Sequence, residues 1–251
     1  MKHVVALSGG KDSTALALWL AENEPREYTY AITPTGNEMP EMIAHWLKIA
    51  KILGKPLTPI TSGSSLQGLI RKDLRLPNHR QRWCTRRLKL EPYYAWLGKQ
   101  APVTSYVGLR ADEESRPGMI FPDTDGVTMR FPLREIGWKE QDVWDFLAER
   151  DISIPARTDC AMCFWQTLAE WFILWRDYLE LYMEAENLER LVSAYHDAPF
   201  SFRSPDRDTW PAGLKELRMR FEAGEIPERS LKMMEKKKAL RGVGACRVCT
   251  L

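Results

Sequence analysis

Near its start the chain reads Val4-Val5-Ala6-Leu7-Ser8-Gly9-Gly10-Lys11-Asp12-Ser13-Thr14, and a helical pattern continues over residues 15–21. An apolar run, a glycine pair and a helical pattern predict a strand that turns directly into a helix. Such a turn directs the free N–H groups of the helix start at one spot, which favours an anion, usually phosphate. Lys11 adds a positive charge, and the hydroxyls of Ser8 and Ser13 add hydrogen-bond donors. The pattern predicts a phosphate-binding loop that lacks the Walker A spacing.

Strand-like and helix-like patterns alternate after this loop. The predicted strands cover residues 4–7, 28–33, 57–61, 105–109 and 128–132, and the predicted helices cover 13–23, 38–53, 85–99 and 139–150. This alternation predicts an α/β fold with a mostly parallel, doubly wound, Rossmann-like sheet covered on both faces. Ligands of such sheets bind beyond the carboxyl ends of the strands, where the strand order reverses. The opening loop would lie there if its strand is central.

The pattern changes after Pro155. One long amphipathic helix is predicted over residues 164–184, and shorter helices are predicted over 214–223 and 229–240. We therefore expect a nucleotide-binding α/β domain over residues 1–155 and a helical, cysteine-bearing region over 156–251.

Composition narrows the class of protein. The 251 residues are 44% hydrophobic and include ten Trp, enough for a sizeable core, and the net charge of +2 does not by itself indicate a nucleic-acid-binding protein. No run of about 18 apolar residues occurs, so no membrane span is expected. Five cysteines without a recognisable secretory signal predict reduced thiols, metal ligands or redox groups in the cytoplasm.

The segment Ser8-Gly9-Gly10-Lys11-Asp12-Ser13 resembles the SGGxDS signature of the PP-loop ATP pyrophosphatases. Their superfamily, the adenine nucleotide alpha hydrolase-like proteins, also holds phosphoadenosine phosphosulfate (PAPS) reductase. Most members cleave ATP between the α- and β-phosphates, adenylate a substrate and release pyrophosphate. The resemblance implies that Ser8, Gly9, Gly10, Lys11 and Ser13 hold the pyrophosphate part of ATP. It also implies that Asp12 lies near Mg²⁺, and with Arg110 it gives Lys11 and Asp12 as catalytic candidates.

A second motif, Thr33-Pro34-Thr35-Gly36-Asn37-Glu38, follows the second predicted strand. PAPS-reductase relatives often carry Asp-Thr-Gly close to the adenosine here, which implies adenosine contacts for Thr33 and Gly36. Thr33 or Pro34 stands where the aspartate would be. An ordinary strand-to-helix turn with a glutamate near the cap explains these residues about as well.

A third motif, Arg82-Trp83-Cys84-Thr85-Arg86-Arg87-Leu88-Lys89-Leu90-Glu91-Pro92, resembles the Arg-x-Cys-Thr-x-x-Leu-Lys-x-x-Pro segment of PAPS-reductase-like proteins and of DNA-phosphorothioation ATPases. Thr85 could cap a helix. We interpret Arg82, Arg86 and Lys89 as anion-binding, the anion being ATP, a sulfonucleotide or a nucleic-acid backbone. A solvated helix face explains the earlier basic residues Arg71, Lys72 and Arg75 equally well.

A fourth motif, Gly108-Leu109-Arg110-Ala111-Asp112-Glu113-Glu114-Ser115-Arg116, resembles the family's Gly-x-Arg-x-x-Glu-Ser-x-x-Arg, with one extra acidic residue and the second arginine directly after the serine. It predicts that Gly108 and Arg110 contact phosphate or sulfate and that Asp112 and Glu113 orient arginines. Surface ion pairs of little energetic value are the alternative. Pro132-Leu133 and the segment 138–144 also resemble the family, and we interpret them as core.

Two Cys-x-x-Cys pairs, Cys160/Cys163 and Cys246/Cys249, supply four thiolates, enough for a structural Zn²⁺ or a [4Fe–4S] cluster. Cys84, far upstream of Cys160, resembles the first cluster site of adenosine-phosphosulfate reductases, although those have a double cysteine there. The resemblance favours iron–sulfur over zinc. With Cys84 as a ligand, the fourth thiolate would come from Cys246 or Cys249.

Three functions remain open. The first is an ATP-dependent enzyme that adenylates a substrate for sulfur transfer or for nucleotide or nucleic-acid modification, with a tRNA or DNA acceptor and a sulfur-donor protein as partners. The second is a true reductase that makes sulfite from a sulfonucleotide. Against it, no histidine follows His196, so the reductases' Glu-Cys-Gly-x-His tail is missing. The third is a nucleotide-binding or DNA-associated module without turnover.

Overall fold

The protein, described as a computed structural model over residues 1–113 and 125–241 (side chains to residue 236), contains one five-stranded parallel sheet. Its strands are β1 (Lys2–Ala6), β2 (Tyr28–Ile32), β3 (Leu57–Pro59), β4 (Val103–Tyr106) and β5 (Val127–Arg130). Their spatial order is β3-β2-β1-β4-β5, and every neighbouring pair is parallel. The predicted α/β class with a doubly wound parallel sheet is confirmed, since each predicted strand overlaps an observed one.

Helices connect the strands and continue beyond them. They are α1 (Lys11–Asn23), α2 (Pro40–Leu53), α3 (Leu66–Asp73), α4 (Trp83–Thr85), a π-helical segment (Arg86–Leu90), α5 (Glu91–Gly98), α6 (Pro132–Glu135), α7 (Glu140–Ala148), α8 (Leu168–Asp177), α9 (Leu179–His196), α10 (Leu214–Glu222) and α11 (Glu228–Arg241). None of these helices is long and apolar enough to span a bilayer. The sequence did not predict α3.

The alternation of side chains along β1 explains why both faces of the sheet are covered. Val5 and Leu7 lie in one buried cluster with residues of α1 and α7, whereas Val4 and Ala6 lie in another with residues of α5. Successive side chains of a strand point to opposite faces, so an uninterrupted apolar run is what a central, doubly covered strand requires.

A third cluster joins the two parts of the chain. Met42 of α2 and Ile70 of α3 are buried together with Trp171 of α8 and Tyr182 of α9. The helices after residue 155 therefore pack against the connections on one side of the sheet. The division into two domains at that point stays a prediction.

The single helix predicted over residues 164–184 is wrong. Helix α8 begins only at Leu168, where Thr167 and Glu170 form a capping box, and it ends at Tyr178 with φ −138° and ψ 55°. Helix α9 then continues to His196, beyond the predicted end. The apolar stripe runs across this break because both helices bury it in the same cluster, so periodicity could not reveal the interruption.

Candidate functional site

Two loops meet where the strand order reverses. After β1 the chain crosses to β2 on one side, and after β4 it crosses to β5 on the other. The loops after β1 and β4 therefore diverge, and a crevice lies between them. The opening glycine loop follows β1, and the segment containing Gly108 and Arg110 follows β4. The predicted position of the opening loop at this point is confirmed.

The loop after β1 is packed tightly on α2. Gly9 has φ +86°, and a Cβ there would lie 1.9 Å from Met42 Cε and 2.6 Å from Trp46 Nε1. Trp46 Nε1 also donates a hydrogen bond to the Ser8 carbonyl at 3.2 Å. Only glycine combines this backbone conformation with such a close approach.

Hydroxyl groups hold the loop at the start of α1. Ser13 Oγ accepts a hydrogen bond from the Gly9 N–H at 3.0 Å and donates one to the Gly10 carbonyl at 3.1 Å, and it lies 3.0 Å from Ser8 Oγ. Gly10 is the N-cap of α1, and no side chain in the described part of the chain caps that helix. The first N–H groups of α1 thus keep their capacity for an anion.

Charged groups are concentrated beside the loop. Lys11 is only 4% exposed, and its Nζ lies 2.9 Å from Asp12 Oδ2 and 3.6 Å from Glu140 Oε1 at the start of α7. The other carboxylate oxygen of Asp12 lies 2.9 Å from Arg110 Nη1. Asp12 therefore bridges Lys11, at the start of α1, and Arg110, in the loop after β4.

Acidic neighbours orient Arg110, as predicted. Its Nε donates to Asp112 Oδ1 at 2.8 Å, and its backbone N–H donates to Glu113 Oε2 at 3.2 Å. Burial lowers the pKa of Arg110, but the carboxylates of Asp12, Asp112 and Glu113 outweigh it and raise that pKa above its usual value. The guanidinium is therefore fixed and permanently charged.

Gly108 lets the loop after β4 approach α1. A Cβ at this glycine would lie 2.9 Å from the Asp12 carbonyl oxygen and 3.1 Å from the Ser13 backbone nitrogen. Because those atoms are backbone, they cannot rotate away as a side chain would. The absence of a side chain at residue 108 brings Arg110 within reach of Asp12.

The loop after β2 lies at the same edge of the sheet. Thr33 is buried, Gly36 has φ +73°, and Glu38 accepts hydrogen bonds from the N–H and Oγ1 of Thr35 at 2.6 and 2.7 Å. Glu38 therefore stabilises the loop internally, as the strand-to-helix alternative expects. The predicted adenosine contacts of Thr33 and Gly36 stay a prediction.

The basic segment before α5 divides into two environments. Arg86 is exposed, and its Nη1 pairs with Glu91 Oε1 at 2.6 Å. Lys89 instead lines a small cavity with Thr35 and Cys84. Arg82 lies at the N-cap of α4, whereas Thr85 lies within the helical run and makes no side-chain cap. The cap expected of Thr85 is wrong, since the helix begins at Trp83.

Three cysteines meet in that cavity, of about 30 Å³: Cys84, Cys160 and Cys163. Residues 160–163 form a turn ahead of α8, which begins only at Leu168. Burial and the neighbouring Cys163 raise the pKa of Cys84, and a hydrogen bond with Cys160 followed by burial raises that of Cys163. Within residues 1–113 and 125–236, no group of three or more His, Cys, Asp or Glu side chains is arranged to hold a metal. Cys246 and Cys249 lie outside the described residues.

Sequence patterns gave no sign of several residues that shape the site. Glu140 approaches Lys11 only because α7 begins beside the loop, and Asp112 Oδ2 accepts the Glu140 N–H at 3.2 Å. Buried His45 lies 3.2 Å by its Nε2 from Thr14 Oγ1, and burial lowers its pKa to about 4. These contacts join distant segments, so no local signal could have revealed them.

The fold and the loops together define a nucleotide-binding α/β protein of the doubly wound class. A model of the phosphoadenosine phosphosulfate reductase domain matches residues 2–156, and the chain belongs to that family. Among solved structures, a phosphate complex of PAPS reductase from Candida auris matches with 13% identity and a TM-score of 0.47, covering 61% of this chain and 75% of that one. No protein with a curated description matches the sequence significantly.

Proposed function

We propose that this protein binds ATP with Mg²⁺ at residues 8–13 and cleaves it between the α- and β-phosphates, adenylating an acceptor. The observation that supports this most is the pairing of an uncapped helix start with two fixed cations, Lys11 and Arg110, at the crevice between the loops after β1 and β4. Backbone N–H groups and two cations suit a polyphosphate better than any neutral ligand.

The bridging carboxylate suggests how the site responds to the nucleotide. Asp12 forms ion pairs with both Lys11 and Arg110. Phosphate oxygens would replace Asp12 as the partners of Lys11 and Arg110. Asp12 would then be available to a hydrated Mg²⁺ held largely by phosphate. Catalysis would then consist mainly of positioning and of neutralising the charge that develops on the leaving pyrophosphate.

Asp112, Glu113 and Glu140 act as positioning residues in this proposal. The first two hold the Arg110 guanidinium, and Glu140 lies within 3.6 Å of the Lys11 ammonium. Thr33 and Gly36, in the loop after β2, would contact the adenosine. We call the cavity lined by Cys84, Cys160 and Cys163 the cysteine cavity. Further anionic groups near it would be bound by Arg82, Arg86 and Lys89.

We further propose that Cys84, Cys160 and Cys163 contribute three thiolates to a [4Fe–4S] cluster or a Zn²⁺, with Cys246 or Cys249 as the fourth ligand. The donor chemistry supports this, because three thiols line one cavity and thiolates suit both groups. The three side chains are not arranged as a metal site in the described residues, so binding would require them to move together. When bound, such a group would tie the turn at residues 160–163 to α4 or would hold sulfur for transfer. Metal binding would require these thiols to lose their protons.

Pyrophosphate release from ATP with Mg²⁺, measured with a coupled assay, tests the proposal. Lys11→Ala should reduce the rate about 100- to 1,000-fold, as removal of one transition-state charge partner typically does. Lys51→Ala, on the exposed last turn of α2, removes the same charge elsewhere and should leave the rate unchanged.

Two outcomes would overturn the assignment. Sulfite formation from PAPS with thioredoxin, without pyrophosphate release from ATP, would identify a sulfonucleotide reductase. ATP binding with neither product would identify a nucleotide-binding module. Full activity of Lys11→Ala would show that the loop does not hold the polyphosphate.

A further inference from the structure

A groove lies next to the cysteine cavity, on the side formed by the loop before α4 and the segment after α9. Two adjoining cavities, of about 530 and 500 Å³, form it, and they share Asn78, Arg80, Phe200 and Ser201 as wall residues. Each has the size of a typical ligand pocket, and the shared wall makes them continuous. We call this feature the basic-aromatic groove.

We propose that the basic-aromatic groove binds a single-stranded segment of nucleic acid. The identification of this strand as the acceptor rests on the proposed function, whereas the binding itself does not. The groove's charge, its exposed rings and its connection to the cysteine cavity each support it.

Four arginines and two aspartates, Asp73 and Asp206, line the groove, so its walls carry a net positive charge. Arg75 and Arg80 are exposed in its wall, and neither forms an ion pair with a carboxylate in the described ranges. Asp73, an acid of the same wall, is already paired with Arg87. Arg207, in the second cavity, is fixed by donating to the carbonyl of Gln166 at 2.6 Å. Guanidinium groups held in this way suit phosphate oxygens of a backbone.

Hydrogen bonds within the loop that carries Arg80 fix its conformation. Asn78 Oδ1 accepts hydrogen bonds from the backbone N–H groups of Arg80 and Gln81 at 3.0 and 2.9 Å. His196 Nε2, at the end of α9, lies 2.8 Å from the Leu74 carbonyl and ties the two sides together. These contacts within the chain fix the shape of the groove.

Aromatic rings lie beside these cations. The rings of His196 and Phe200 are 4.9 Å apart at 36°, and Phe200 is 38% exposed. In the second cavity, the rings of buried Phe164 and half-buried Trp165 have centroids 5.3 Å apart. Exposed rings beside cations, as His196 and Phe200 are here, form the arrangement that binds unstacked bases and their phosphates. A duplex keeps its bases stacked inside, so the rings favour a single strand.

The groove adjoins the cavity that Cys84, Cys160 and Cys163 line. Phe164 lines both the groove and the cysteine cavity, and Thr35 lines that cavity from the loop after β2. A strand lying in the groove would thus have one nucleotide near the thiols and near the proposed adenosine position. This continuity favours an acceptor nucleotide within a chain over one free in solution.

Fluorescence anisotropy with a labelled 12-nucleotide strand of mixed sequence, without ATP, tests the inference. The full chain should bind it, and the double variant Arg75→Ala/Arg80→Ala should weaken binding at least about tenfold at low salt and lower the salt slope by about 1.4, or about 0.7 for each lost phosphate contact. Phe200→Leu should weaken binding about 5- to 150-fold without changing that slope, because it removes a stacking ring.

The matched control is Arg26→Ala/Arg176→Ala. It removes the same charge from exposed arginines outside the groove. Arg176 lies just before α9, whereas His196 is the last residue of that 18-residue helix, which is about 27 Å long. This variant should bind like the unmodified protein. Comparing an RNA strand with a DNA strand of the same sequence shows which of the two nucleic acids the groove prefers.

Several results would overturn the inference: no binding of either strand, equal binding by the groove variant and the control, or tighter binding of the corresponding duplex. Each is separable from failure of the proposed function. If pyrophosphate is not released but the groove variant loses the strand, the groove stands and the adenylation proposal falls. If pyrophosphate is released but no strand binds, only the groove proposal falls.

Discussion

Replacing Gly108 with alanine tests whether the loop after β4 lies against the start of α1. The new Cβ would be 2.9 Å from the Asp12 carbonyl oxygen, 3.0 Å from its carbon and 3.1 Å from the Ser13 nitrogen. To reach ordinary contact, the two backbone segments must separate by about 0.3–0.5 Å. Overpacking of this kind typically costs about 1–3 kcal/mol. For a chain of this size that is a loss of about 2–12 °C in Tm.

The same displacement should move Arg110 away from Asp12 and reduce pyrophosphate release. The assays are thermal denaturation by calorimetry and the coupled pyrophosphate assay, both on the full chain. Gly98→Ala is the matched control, because Gly98 lies in α5 and a Cβ there meets no atom within 4 Å. Alanine is favoured over glycine in a helix by about 0.5–1 kcal/mol, so this control should raise Tm slightly. An unchanged Tm and rate for Gly108→Ala would refute the close approach of the two loops.

Three further substitutions test two other parts of the structure, the cysteine cavity and the buried Glu189. Cys160→Ser and Cys84→Ser should each lower the iron or zinc content of anaerobically purified protein, measured by elemental analysis; unchanged content in both would contradict the shared ligand set. Burial raises the pKa of Glu189 to about 8 from its ordinary 4.5, although the N–H groups of Phe202 and Leu214 donate to it. The folded state therefore binds the extra proton between about pH 4.5 and 8, and the stability due to this group should fall as pH rises through that window. Glu189→Gln should flatten the dependence in urea titrations, and an identical dependence in both proteins would contradict this assignment.

Local signals made the sheet and its first loop predictable. The apolar run of β1, followed after Ser8 by Gly9 and Gly10, specifies a buried strand, a turn and a helix start within ten residues. Each part is visible without the rest of the chain. Asp112 and Glu113 were predictable as partners of Arg110 because they lie within three residues of it. Ion pairs and turns of such short range are encoded locally.

Contacts between distant segments could not be predicted in this way. Glu140 lies near Lys11 because α7 packs against α1 in the same buried cluster, and nothing around Glu140 in the sequence indicates this. Likewise, the break at Tyr178 leaves the apolar periodicity intact, because α8 and α9 bury one continuous stripe. Periodicity reports which face is buried and not whether the backbone stays helical.

Cys84 shows most directly how the fold brings together residues that lie far apart in the sequence. It is more than seventy residues from Cys160, yet both line one cavity. Backbone contacts fix the turn at Cys160 to the loop after β2. Glu38 and Cys160 form an isolated antiparallel β-bridge, and the Ala161 N–H donates to the Asn37 carbonyl at 2.7 Å. Cys84 reaches the same place from α4. Because the thiols and the proposed adenosine loop share this backbone contact, a substitution that disturbs the turn is expected to disturb both, which is the coupling that a sulfur-handling, nucleotide-dependent enzyme would require.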